Sequence, residues 1–511
     1  MDYVIAIPSH KRAQILIDRT LSVLEKYNIP HEKIHVFVSA ECWEEYDKKL
    51  PQDIKLIISE EGVANNRTFI SNWFNQKQFI LSLDDDIEKI NRLMVEEGGN
   101  KTIEIESLHD LIIEVYNLLK ENNLALAGVY PVNNHFFMKD KITTDLRFIN
   151  GGMKFYFNDR FCERRNFELI EDFETSIKYY LKYNGVLRLW NVAIKANYLT
   201  LKGGMQDNAD RSLEAKEIEC ERFKNRYFNY CDVVRKNDNK RCEIKFRKTI
   251  KRNEVNTLWI GDKLNPLSRI SIKSWLDNGY IVNIWTYDPL DEALVQHPRV
   301  NLCDAQEIWR LQHGDWEKKD ILPFSDLWRY KLLYIKGGIW LDADMLLIEN
   351  LPEYEYIISS EHTMQSGAFK SKKPFVANIG VLRFPPQDEF LDNIIKKIYK
   401  KKKESKFVDN MRIFQREVRD NYGYSDHILG PETFCPIPWW QCKELYMQDF
   451  YNIKYGVETP SILQILRSPT TIGVHLWNNF SISKHKIDFE NIHNKSSFSL
   501  LKELFSNNKQ Q

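Results

Sequence analysis

Two aspartates separated by one residue follow an apolar run in the second half of the chain. The segment KGGIWLDADMLL, residues 336–347, places Asp342 and Asp344 directly after residues that are typical of a buried strand. Residues i and i+2 of an extended segment project to the same side, so the two carboxylates would point together. Carboxylates that close repel each other unless a cation intervenes, and oxygen ligands favour Mg²⁺ or Mn²⁺. The spacing predicts a divalent-metal site; the alternative is a solvated aspartate-rich turn.

A second acidic cluster follows a predicted strand in the first half of the chain. FILSL, residues 79–83, precedes Asp84, Asp85 and Asp86, so the same i and i+2 spacing recurs. Open α/β sheets bind ligands at the carboxyl ends of their strands. A divalent cation held there by few protein groups keeps positions for phosphate oxygens and can neutralise a departing diphosphate. We therefore expect one Mn²⁺ or Mg²⁺ ion in each half.

Short apolar runs alternate with amphipathic stretches ahead of both acidic clusters. This alternation predicts an α/β fold with two tandem domains, each built on a mostly parallel sheet. The polar segment 232–256 marks the boundary, as a linker or as the closing element of the first domain, and the predicted domains are 1–245 and 246–511. The predicted strands are 3–8, 34–40, 79–83, 257–261 and 280–287, and the predicted helices are 13–27, 268–279 and 325–338.

The helix before the second cluster carries polar residues on one face. Asp326, Arg329 and Tyr330 stand at positions i, i+3 and i+4, so a helix brings them to one side. Gly337-Gly338 at its end would let the chain turn sharply into the strand that carries the aspartates.

The string FSDLWRYKLLYIKGGIWLDADM, residues 324–345, resembles the DXD sugar-binding region of retaining GT-A glycosyltransferases. The resemblance points to family 32, the group with α1,4-galactosyltransferase-like and large-clostridial-toxin enzymes, and LWIGD at 258–262 also fits that group. The likeness covers roughly 255–485. It implies a Rossmann-like GT-A domain and a retaining transfer from a nucleotide-sugar donor. A UDP-sugar is the default donor of the group, and GDP-linked sugars also occur in it.

This resemblance assigns roles to residues of the second half. It implies that Trp259 stacks on the base, that Trp340 flanks the donor, and that Asp342 and Asp344 handle ribose and metal. GVHLWNNFSIS, 473–483, resembles the segment that closes over the diphosphate, although the exact closing pattern of the family is not reproduced. His475 is a candidate metal ligand there, or else a satisfied core histidine. The resemblance implies that Ser325, Asp326 and Arg329 bind ribose and donor-sugar hydroxyls, and Tyr330 is a further donor-binding candidate. The candidate phosphate contacts are Trp477, Ser481 and Lys484, and the further donor or acceptor candidates are Asn378 and Asp426.

The first half, over about 1–230, resembles inverting GT-A enzymes. IPSHKR (7–12) is similar to their nucleotide-binding start, and GVANNRTFI (62–70) to a segment of family 2-like transferases. Residues 170–204 resemble the Glu-Asp region of such enzymes and of the phage TET-associated glycosyltransferases. The resemblance implies Asp172 as the base that takes the acceptor proton, with Glu171 second. The implied donor-binding residues are Pro8, Ser9, Arg12, Asn66, Arg67 and Asp85, and the implied metal ligands are Asp84 and Asp86.

An alternative for the Glu-Asp region needs no catalysis. Glu171, Asp172 and Glu174 could merely favour a helix N-terminus through the helix dipole. Gly151-Gly152 and Gly203-Gly204 are candidates for shaping the acceptor side.

Composition narrows the classes of partner. The 72 basic residues balance the 72 acidic ones, which argues against wholesale binding of nucleic acid. No CxxC pair occurs among the eight cysteines, so we expect no zinc site.

The start of the chain is typical of a strand and not of a signal peptide, and no apolar run is of bilayer length, which predicts a cytoplasmic protein. The basic cluster 394–406 could contact an anionic membrane surface, or it could be a solvated helix face.

Three functions are compatible with the sequence. The first is a bifunctional metal-dependent glycosyltransferase with an inverting first domain and a retaining second domain, which add sugars to a glycan, glycoprotein or glycolipid. The second is a single active C-terminal transferase with an N-terminal glycan- or partner-binding module. The third is a metal-dependent nucleotidyltransferase, which would not need the Ser-Asp-x-x-Arg-Tyr helix.

Overall fold

The computed structural model describes residues 2–96, 99–196, 212–236, 241–311, 321–368, 370–401, 407–447, 452–454, 457–489 and 492–505. The chain divides into two units, Met1–Ile250 and Lys251–Gln511. We call them the first and the second unit. The division lies close to the boundary predicted at 245/246. Gly203-Gly204 of the predicted acceptor side and residues 402–406 of the basic cluster lie outside the described residues.

The first unit begins with strands and helices in alternation and ends with a hairpin. A π-helical turn, Ile17–Leu21, joins its first two helices, and short 3₁₀ turns lie at His31–Lys33 and Ala40–Cys42. The helices are α1 (Ala13–Leu16), α2 (Ser22–Lys26), α3 (Trp43–Lys49), α4 (Val63–Trp73), α5 (Leu108–Glu121), α6 (Arg160–Glu163), α7 (Glu171–Tyr183) and α8 (Leu213–Arg226). The strands are β1 (Val4–Pro8), β2 (Ile34–Ser39), β3 (Lys55–Ser59), β4 (Phe79–Leu83), β5 (Ile87–Met94), β6 (Lys101–Glu104), β7 (Leu126–Tyr130), β8 (Ile142–Thr143), β9 (Met153–Phe157), β10 (Leu187–Ala196), β11 (Cys231–Lys236) and β12 (Arg241–Phe246).

The sheet of the first unit has the strand order β3-β2-β1-β4-β9-β7-β10-β5-β6, with β8 beside β10. Strands β1 to β4 pair in parallel, and β9 runs antiparallel to both β4 and β7. Every residue of β2 and β4 is buried, which explains their continuous apolar runs, because helices cover both faces of a parallel sheet. The carboxyl ends of β1 and β4 are neighbours, so the residues after Pro8 lie beside the Asp84–Asp86 turn.

Most of the polar segment at the boundary, up to Ile250, belongs to the first unit. Strands β11 and β12 form an antiparallel hairpin within it. Cys231 and Ile244 of the hairpin pack in a core cluster with Cys220, Phe223 and Tyr227 of α8 and the residue after it. The hairpin thus alternates buried apolar residues with outward charges, and the outward charges make the segment read as polar.

The second unit repeats the alternating plan. Short 3₁₀ turns lie at Ala293–Gln296, Ala305–Glu307 and Trp439–Tyr446, and a π-helical turn at Asn479–Lys484. The helices are α9 (Pro266–Asp277), α10 (Ile321–Lys336), α11 (Glu389–Lys401), α12 (Phe407–Asp420), α13 (Tyr422–Ser425), α14 (Pro431–Phe434), α15 (Ile462–Arg467) and α16 (Ser497–Phe505). The strands are β13 (Glu254–Trp259), β14 (Ile281–Thr286), β15 (Val300–Asp304), β16 (Gly338–Leu341), β17 (Met345–Leu347), β18 (Ile357–His362), β19 (Phe375–Phe384), β20 (Asn452–Lys454), β21 (Val457–Thr459) and β22 (Gly473–His475).

The main sheet of the second unit has the order β15-β14-β13-β16-β19-β18. The first four strands pair in parallel, and β19 runs antiparallel to both β16 and β18. A separate antiparallel pair, β17 with β22, lies beyond the acidic turn. In both units a parallel half is completed by antiparallel strands at the acidic turn. The predicted α/β fold class is confirmed.

The basic cluster predicted as a membrane contact or a solvated face lies partly on α11. Its residues Ile394, Ile395 and Ile398 are buried, whereas Lys396 and Lys397 form ion pairs with Asp392 and Glu417. The described part is therefore an amphipathic helix with its lysines outward, and contact with a membrane surface stays a prediction. None of the helices within the described ranges is long and apolar enough to cross a bilayer.

Two glycines turn the chain from α10 into β16, as the sequence predicts. Gly337 and Gly338 have φ values of 68° and 91°, and the Gly337 amide donates to Leu333 O at 2.8 Å. A Cβ atom on Gly337 would lie 2.7 Å from both N and Cδ of Pro386, whereas one on Gly338 would meet nothing closer than 3.8 Å. Glycine is required at 337 by both conformation and space, and at 338 by conformation alone.

The pair Gly337→Ala and Gly338→Ala separates these two requirements. We expect Gly338→Ala to lower the free energy of unfolding of the second unit by about 1–2 kcal/mol, the cost of a left-handed non-glycine residue. Gly337→Ala should cost roughly 2–4 kcal/mol, because overlap with Pro386 is added. Urea unfolding followed by tryptophan fluorescence measures both. Equal losses for the two variants would contradict the steric argument.

Candidate functional site

The first aspartate of the DXD sequence lies in a tight turn between β16 and β17. Its amide donates to Gly380 O at 2.8 Å, and Met345 N donates to Asp342 O at 2.8 Å, which closes the turn. The carboxylate Oδ1 accepts hydrogen bonds from Arg329 Nη1 at 2.7 Å and Trp340 Nε1 at 2.8 Å. Within the described ranges Oδ2 has no hydrogen-bond partner, and 22% of the side chain is exposed. Asp342 is thus held through Oδ1, and its Oδ2 remains able to bind a ligand.

The second aspartate meets a histidine that lies far away in sequence. Strand β22 pairs with β17 so that His475 stands opposite Met345. His475 Nε2 lies 3.3 Å from Asp344 Oδ1, and Asn478 N donates to Asp344 Oδ2 at 2.5 Å. One ligand atom from each of Asp342, Asp344 and His475 can be chosen so that all lie within 4.8 Å of one another.

The charges of this cluster are balanced through the histidine. Burial by itself raises the pKa of Asp344, but the charge of His475 and hydrogen bonds from His475 and Asn478 hold that pKa below its ordinary value. Burial lowers the pKa of His475, but Asp344 outweighs this and raises that pKa well above its usual range. A divalent cation can take the place of the imidazolium as the counter-charge. The residues fit such an ion, and the imidazole nitrogen favours Mn²⁺ over Mg²⁺, which prefers oxygen ligands.

Arg329 joins helix α10 to the DXD turn. Besides Asp342, its guanidinium donates to Ile379 O at 2.8 Å and lies 3.2 Å from Asp326 Oδ1. Ser325 Oγ lies 3.4 Å from Nη2. Burial raises the pKa of Asp326 to about 7, with Arg329 opposing and Asp342 adding to the rise. Asp326 and Arg329 lie on one face of α10, as the sequence predicts, and Arg329 also contacts Asp342 of the acidic turn.

Tyr330 lies in the apolar core of the second unit. Its ring stacks on Phe414 at a centroid distance of 5.5 Å and an interplanar angle of 3°, and the side chain is fully buried. Its hydroxyl has no hydrogen-bond partner among the described residues. Donor contact by Tyr330 stays a prediction.

A buried glutamate that the sequence analysis missed stands beside the cluster. Asn378 Nδ2 donates to Glu361 Oε2 at 3.0 Å, and Asn378 Oδ1 accepts from Gly380 N at 2.7 Å. Burial raises the pKa of Glu361 to about 7, while Asn378 and the charge of His475 oppose that rise. Its only sequence signal is an acidic residue near the end of the strand IISSEH. Asn378, a predicted site residue, thus links Glu361 to the strand that receives the Asp342 amide.

The other predicted residues of the second unit lie in differing surroundings. Trp477, with φ 53°, stacks on His475 at 4.0 Å. Ser481 is buried and donates to Leu476 O at 2.9 Å. Lys484 lies over the Phe480 ring at 5.3 Å. Phosphate contacts by these three residues stay predictions.

Trp259 and Asp426 lie apart from the described contacts of the acidic turn. Trp259 is half-buried at the end of β13, where its Nε1 donates to Lys263 O at 3.1 Å. Asp426 is exposed at the end of α13. Base stacking and acceptor contact remain predictions for these two residues.

The first unit holds its acidic turn in a closely similar way. Asp84 N donates to Gly152 O at 3.0 Å, and Arg67 Nη2 lies 2.9 Å from Asp84 Oδ1. Arg67 is buried on α4 and also donates to Gly151 O at 3.3 Å. In each unit, then, a buried helix arginine binds the strand-end aspartate, whose amide binds a glycine carbonyl on the neighbouring antiparallel strand or the segment leading into it.

One hydroxyl distinguishes the turn of the first unit. Thr20 Oγ1 donates to Asp84 O at 2.8 Å and accepts from Ile87 N at 3.0 Å. In the second unit the corresponding groups, Met345 N and Asp342 O, bond to each other directly, whereas in the first unit the Thr20 hydroxyl lies between Ile87 N and Asp84 O. Thr20 belongs to the π-helical turn, an irregularity that is frequent at functional sites.

Asp85 and Asp86 face the loop after β1. Ser9 Oγ donates to Asp85 Oδ2 at 2.5 Å, and Arg12 Nη1 lies 3.4 Å from Asp85 Oδ1 and 4.0 Å from Asp86 Oδ2. Burial raises the pKa of Asp85 to about 7 and of Asp86 to about 6, and the charge of Asp84 adds to both. The sequence-predicted donor residues Ser9, Arg12 and Asp85 are thus brought together.

Metal-ligand clusters among the described residues do not include Asp84 or Asp86. The groups of three or more close ligands are Asp342-Asp344-His475 and His10-Glu41-Cys42. Asp84 pairs with Arg67 as Asp342 pairs with Arg329, whereas the positive charge near Asp86 comes from Arg12 and that near Asp344 from His475. A metal ion in the first unit stays a prediction.

The other two predicted donor-binding residues of the first unit are Pro8 and Asn66. Pro8 ends β1, in register with Phe37 of β2. Asn66 is buried on α4, where its Nδ2 donates to Ser59 Oγ at 3.0 Å and its Oδ1 has no partner among the described residues.

The Glu-Asp pair at the start of α7 has two different environments. Glu171 lies between Arg67, at 3.2 Å, and Arg165, at 2.8 Å. Although burial raises the pKa of Glu171, these arginines lower it to about 2. Asp172 accepts from Gly151 N at 2.8 Å, and burial and the charge of Glu171 raise its pKa to about 8. The pair is therefore more than a set of charges that favours a helix N-terminus.

Gly151 is required by close approach. A Cβ atom there would lie 2.4 Å from Asp172 Oδ1 and 2.8 Å from Arg67 Nη2. No side chain fits between the guanidinium and the carboxylate. The prediction that Gly151 shapes the site is consistent with this spacing.

One match to a known protein family lies in the second unit. Residues 272–366 match the family described as a glycosyltransferase sugar-binding region containing a DXD motif. Over 190 residues the chain is 26% identical to lactosylceramide 4-alpha-galactosyltransferase of Pan troglodytes. This alignment covers 33% of this chain and 45% of that protein. The Pongo pygmaeus protein matches with the same identity and is covered to 72%. The PaToxG glycosyltransferase structure matches with a TM-score of 0.25 and 14% identity, over 33% of this chain and 69% of that one.

The chain therefore spans less than half the length of the Pan troglodytes relative that it matches. The matched family segment contains the α10 residues, the DXD turn and Glu361, while His475 lies outside it. The second unit thus contains a segment that is similar to the DXD sugar-binding region of glycosyltransferases.

Binding of Mn²⁺ tests the cluster of the second unit. Calorimetric titration should show that Asp344→Asn and His475→Gln each weaken one Mn²⁺ site by more than about 10-fold, since outer-shell changes alone cost about 10- to 100-fold. Asp291→Asn, at an exposed position of the same unit, should bind as the wild type does. Unchanged affinity in the two cluster variants would reject this site.

The raised pKa of Asp172 makes stability depend on pH. The folded chain keeps a proton that the unfolded chain releases near pH 4, so this group's contribution to stability falls as pH rises from about 4 to about 8. Asp172→Asn should remove up to about 1.4 kcal/mol per pH unit of that fall. Unfolding of wild type, Asp172→Asn and the exposed control Asp47→Asn is compared between pH 5 and 8. Parallel curves for all three would contradict the raised pKa.

Proposed function

We propose that the chain is a bifunctional, metal-dependent glycosyltransferase that transfers sugars from nucleotide-sugar donors to a glycan, with one activity in each unit. The observation that carries the proposal is the second-unit cluster of Asp342, Asp344 and His475. Asp342 of this cluster binds Arg329 of α10. Asp342 and Asp344 lie within the segment that matches the DXD sugar-binding family, and His475 lies outside it. The donor is a UDP- or GDP-sugar, with UDP-sugar favoured by the sequence resemblance.

The second unit is proposed to act with retention. Asp342, Asp344 and His475 would hold Mn²⁺ or Mg²⁺, which supplies a Lewis acid for the leaving diphosphate when bound. Arg329 orients Asp342 through Oδ1, which leaves Oδ2 for the ion. Asp326 and Ser325, which lie beside Arg329, would accept hydrogen bonds from donor hydroxyls and donate hydrogen bonds to them. The name of the matching relatives, a 4-alpha-galactosyltransferase, favours a hexosyl group and an alpha-linked product.

The first unit is proposed to act with inversion, and its geometry favours Asp172 over Glu171 as the base. An inverting transfer needs a carboxylate that takes the proton of the acceptor hydroxyl while the sugar is attacked. Glu171 is engaged by two arginines, so it is a poor proton acceptor. Asp172 has a pKa of about 8, near the operating pH that suits a general base. Glu171 then positions Arg67 and Arg165.

The charged residues after β1 and β4 support donor binding by the first unit. Arg12 and Ser9 lie beside Asp85, at the carboxyl ends of β1 and β4, where α/β sheets bind ligands. Arg12 supplies positive charge for a diphosphate at that edge. Asp84 and Asp86 are the proposed holders of the ion in this unit.

Donor hydrolysis without an acceptor tests both activities in one protein. A panel of UDP- and GDP-sugars is incubated with Mn²⁺ and wild type, Asp84→Asn/Asp86→Asn or Asp342→Asn/Asp344→Asn, and the nucleoside diphosphate released is measured. Each double variant should lower the turnover of a different donor by more than about 100-fold, because several kcal/mol of charge stabilisation are lost. Chelation of the metal should abolish both, and Asp47→Asn and Asp291→Asn should change neither.

The panel also discriminates the other two functions. Loss of all turnover in the second-unit variant alone would leave the first unit as a glycan- or partner-binding module. Release of pyrophosphate from a nucleoside triphosphate, with no nucleoside diphosphate from any sugar donor, would identify a nucleotidyltransferase and reject the proposal.

A further inference from the structure

A basic cavity lies in the first unit between α7, the β11–β12 hairpin with the residues after it, and segment 145–148. Its volume is about 450 Å³. The charged side chains in its lining are the cations Arg147, Arg188, Lys245, Arg247 and Lys248 and one carboxylate, Asp145. The proposed transferase chemistry makes no use of these residues.

Only part of this positive charge is balanced by carboxylates. Asp145 pairs with Arg147 at 2.6 Å, and Asp232 pairs with Arg247 at 2.6 Å. Lys245 and Lys248 form no ion pair or side-chain hydrogen bond with the part of the chain that the structure describes. The cavity therefore keeps an excess of positive charge that an anion could neutralise.

Arg188 carries the sharpest requirement for an anion. The residue is 8% exposed, and its guanidinium lies 5.1 Å from the Tyr130 ring centroid and 4.8 Å from that of Trp190. No hydrogen bond or ion pair joins the guanidinium to any described residue, and its Nε is buried without a partner. Burial lowers the pKa of Arg188 to about 10.

The aromatic rings stabilise only the faces of this guanidinium. Cation–π contact acts perpendicular to the plane, whereas the five N–H donors of arginine lie in the plane and need acceptors. An unpaired buried charge is costly, and the one carboxylate of the lining, Asp145, pairs with Arg147, so an anion from outside the chain can supply the missing acceptors of Arg188. Phosphate and carboxylate are the anions that fit the planar donor fork.

Aromatic side chains form the rest of the wall. Phe173 packs on Phe148 at 4.3 Å and on Phe246 at 5.6 Å between ring centroids, and all three are only half-buried. The cavity thus combines apolar faces with a few polar donors, which is the usual composition of a site for a small organic ligand.

The cavity adjoins the proposed base of the first unit. Phe173, in its wall, is the residue after Asp172. Phe148, also in the wall, precedes by three residues Gly151, whose amide binds Asp172. Three residues span at most about 11 Å, so the Phe148 backbone lies within about that distance of Gly151.

We propose that this cavity is the acceptor subsite of the first unit and that it binds an acidic glycan by a phosphate or carboxylate group. The group lies against Arg188, Lys245 and Lys248, and the sugar rings lie on the phenylalanine wall. The role as acceptor subsite rests on the proposed function of the first unit, whereas the binding of the anion does not.

Calorimetry with the full chain tests the binding. The probes are a hexose 6-phosphate, a hexuronic acid and the corresponding neutral hexose. We expect at least one anionic sugar to bind about 10-fold or more tightly than the neutral one, as charge-assisted hydrogen bonds to a desolvated arginine allow. The anion that binds more tightly distinguishes a phosphorylated from a carboxylated acceptor.

Matched variants locate the site. Arg188→Gln, and separately Lys245→Gln/Lys248→Gln, should weaken the anionic probe by about 10-fold, since each removes charge-assisted hydrogen bonds. The lysine pair is exposed on and after the hairpin, so its replacement tests the site even where Arg188→Gln disturbs folding. Lys55→Gln, at an exposed position of β3, should leave the affinity unchanged. Equal binding of neutral and anionic sugars, or full affinity in the lysine double variant, would overturn the proposal.

Donor hydrolysis by the same preparations keeps the two proposals apart. Hydrolysis that depends on Asp84 and Asp86, combined with no anion preference, would reject the cavity and keep the transferase. Anion binding that depends on the cavity residues, combined with no hydrolysis by the first unit, would keep the anion site and reject its role as an acceptor subsite.

Discussion

A buried guanidinium against a strand-end aspartate is the interaction on which both candidate sites depend. Arg67 lies 2.9 Å from Asp84, and Arg329 lies 2.7 Å from Asp342. Each arginine comes from the helix that precedes the acidic strand and also donates to a backbone carbonyl across the turn. A charge of this kind can be buried only when its partners stay in place, since removal of one partner from a buried pair is strongly destabilising. The helix, the strand end and the facing segment are therefore fixed together.

The facing segments accept this arrangement because they contain glycine. Gly152 O and Gly380 O receive the amides of Asp84 and Asp342. At Gly151 a side chain would overlap Asp172 and Arg67, and at Gly380 a Cβ would lie 2.9 Å from Asn378 Oδ1. Close approach of backbone to carboxylate is what brings the polar groups of each site within hydrogen-bond distance. The same device serves two sheets whose sequences are not an obvious repeat.

Beyond this shared frame the two units diverge in the charge that meets the acidic turn. The second unit adds His475 from β22, which makes a three-ligand cluster suited to a divalent cation. The first unit adds arginines and the Glu171-Asp172 pair, which separates one carboxylate with a lowered pKa from one with a raised pKa. Neighbouring carboxylates with pKa values pushed apart are the usual basis of an acid–base assignment. The frame is common, and the chemistry that it supports differs.

The sequence by itself determined the local elements and the face that each presents. The runs at β1, β2, β4, β13 and β14, the helices around 13–26 and 266–277, and the glycine turn after α10 follow from apolar periodicity and backbone preference, which act over a few residues. It also placed Asp342 beside Asp344, although a tight turn and not an extended strand brings their carboxylates together.

Only the tertiary structure decided which side chains meet across long separations. It paired β17 with β22 and so joined His475 to Asp344, turned Tyr330 into the core, and buried Glu361 beside Asn378. It also divided the Glu-Asp pair, since Arg165 and Arg67 converge on Glu171 and leave Asp172 to Gly151. Charge, burial and hydrogen bonding at these residues depend on neighbours that no local pattern specifies, because strand order and close packing bring distant segments together.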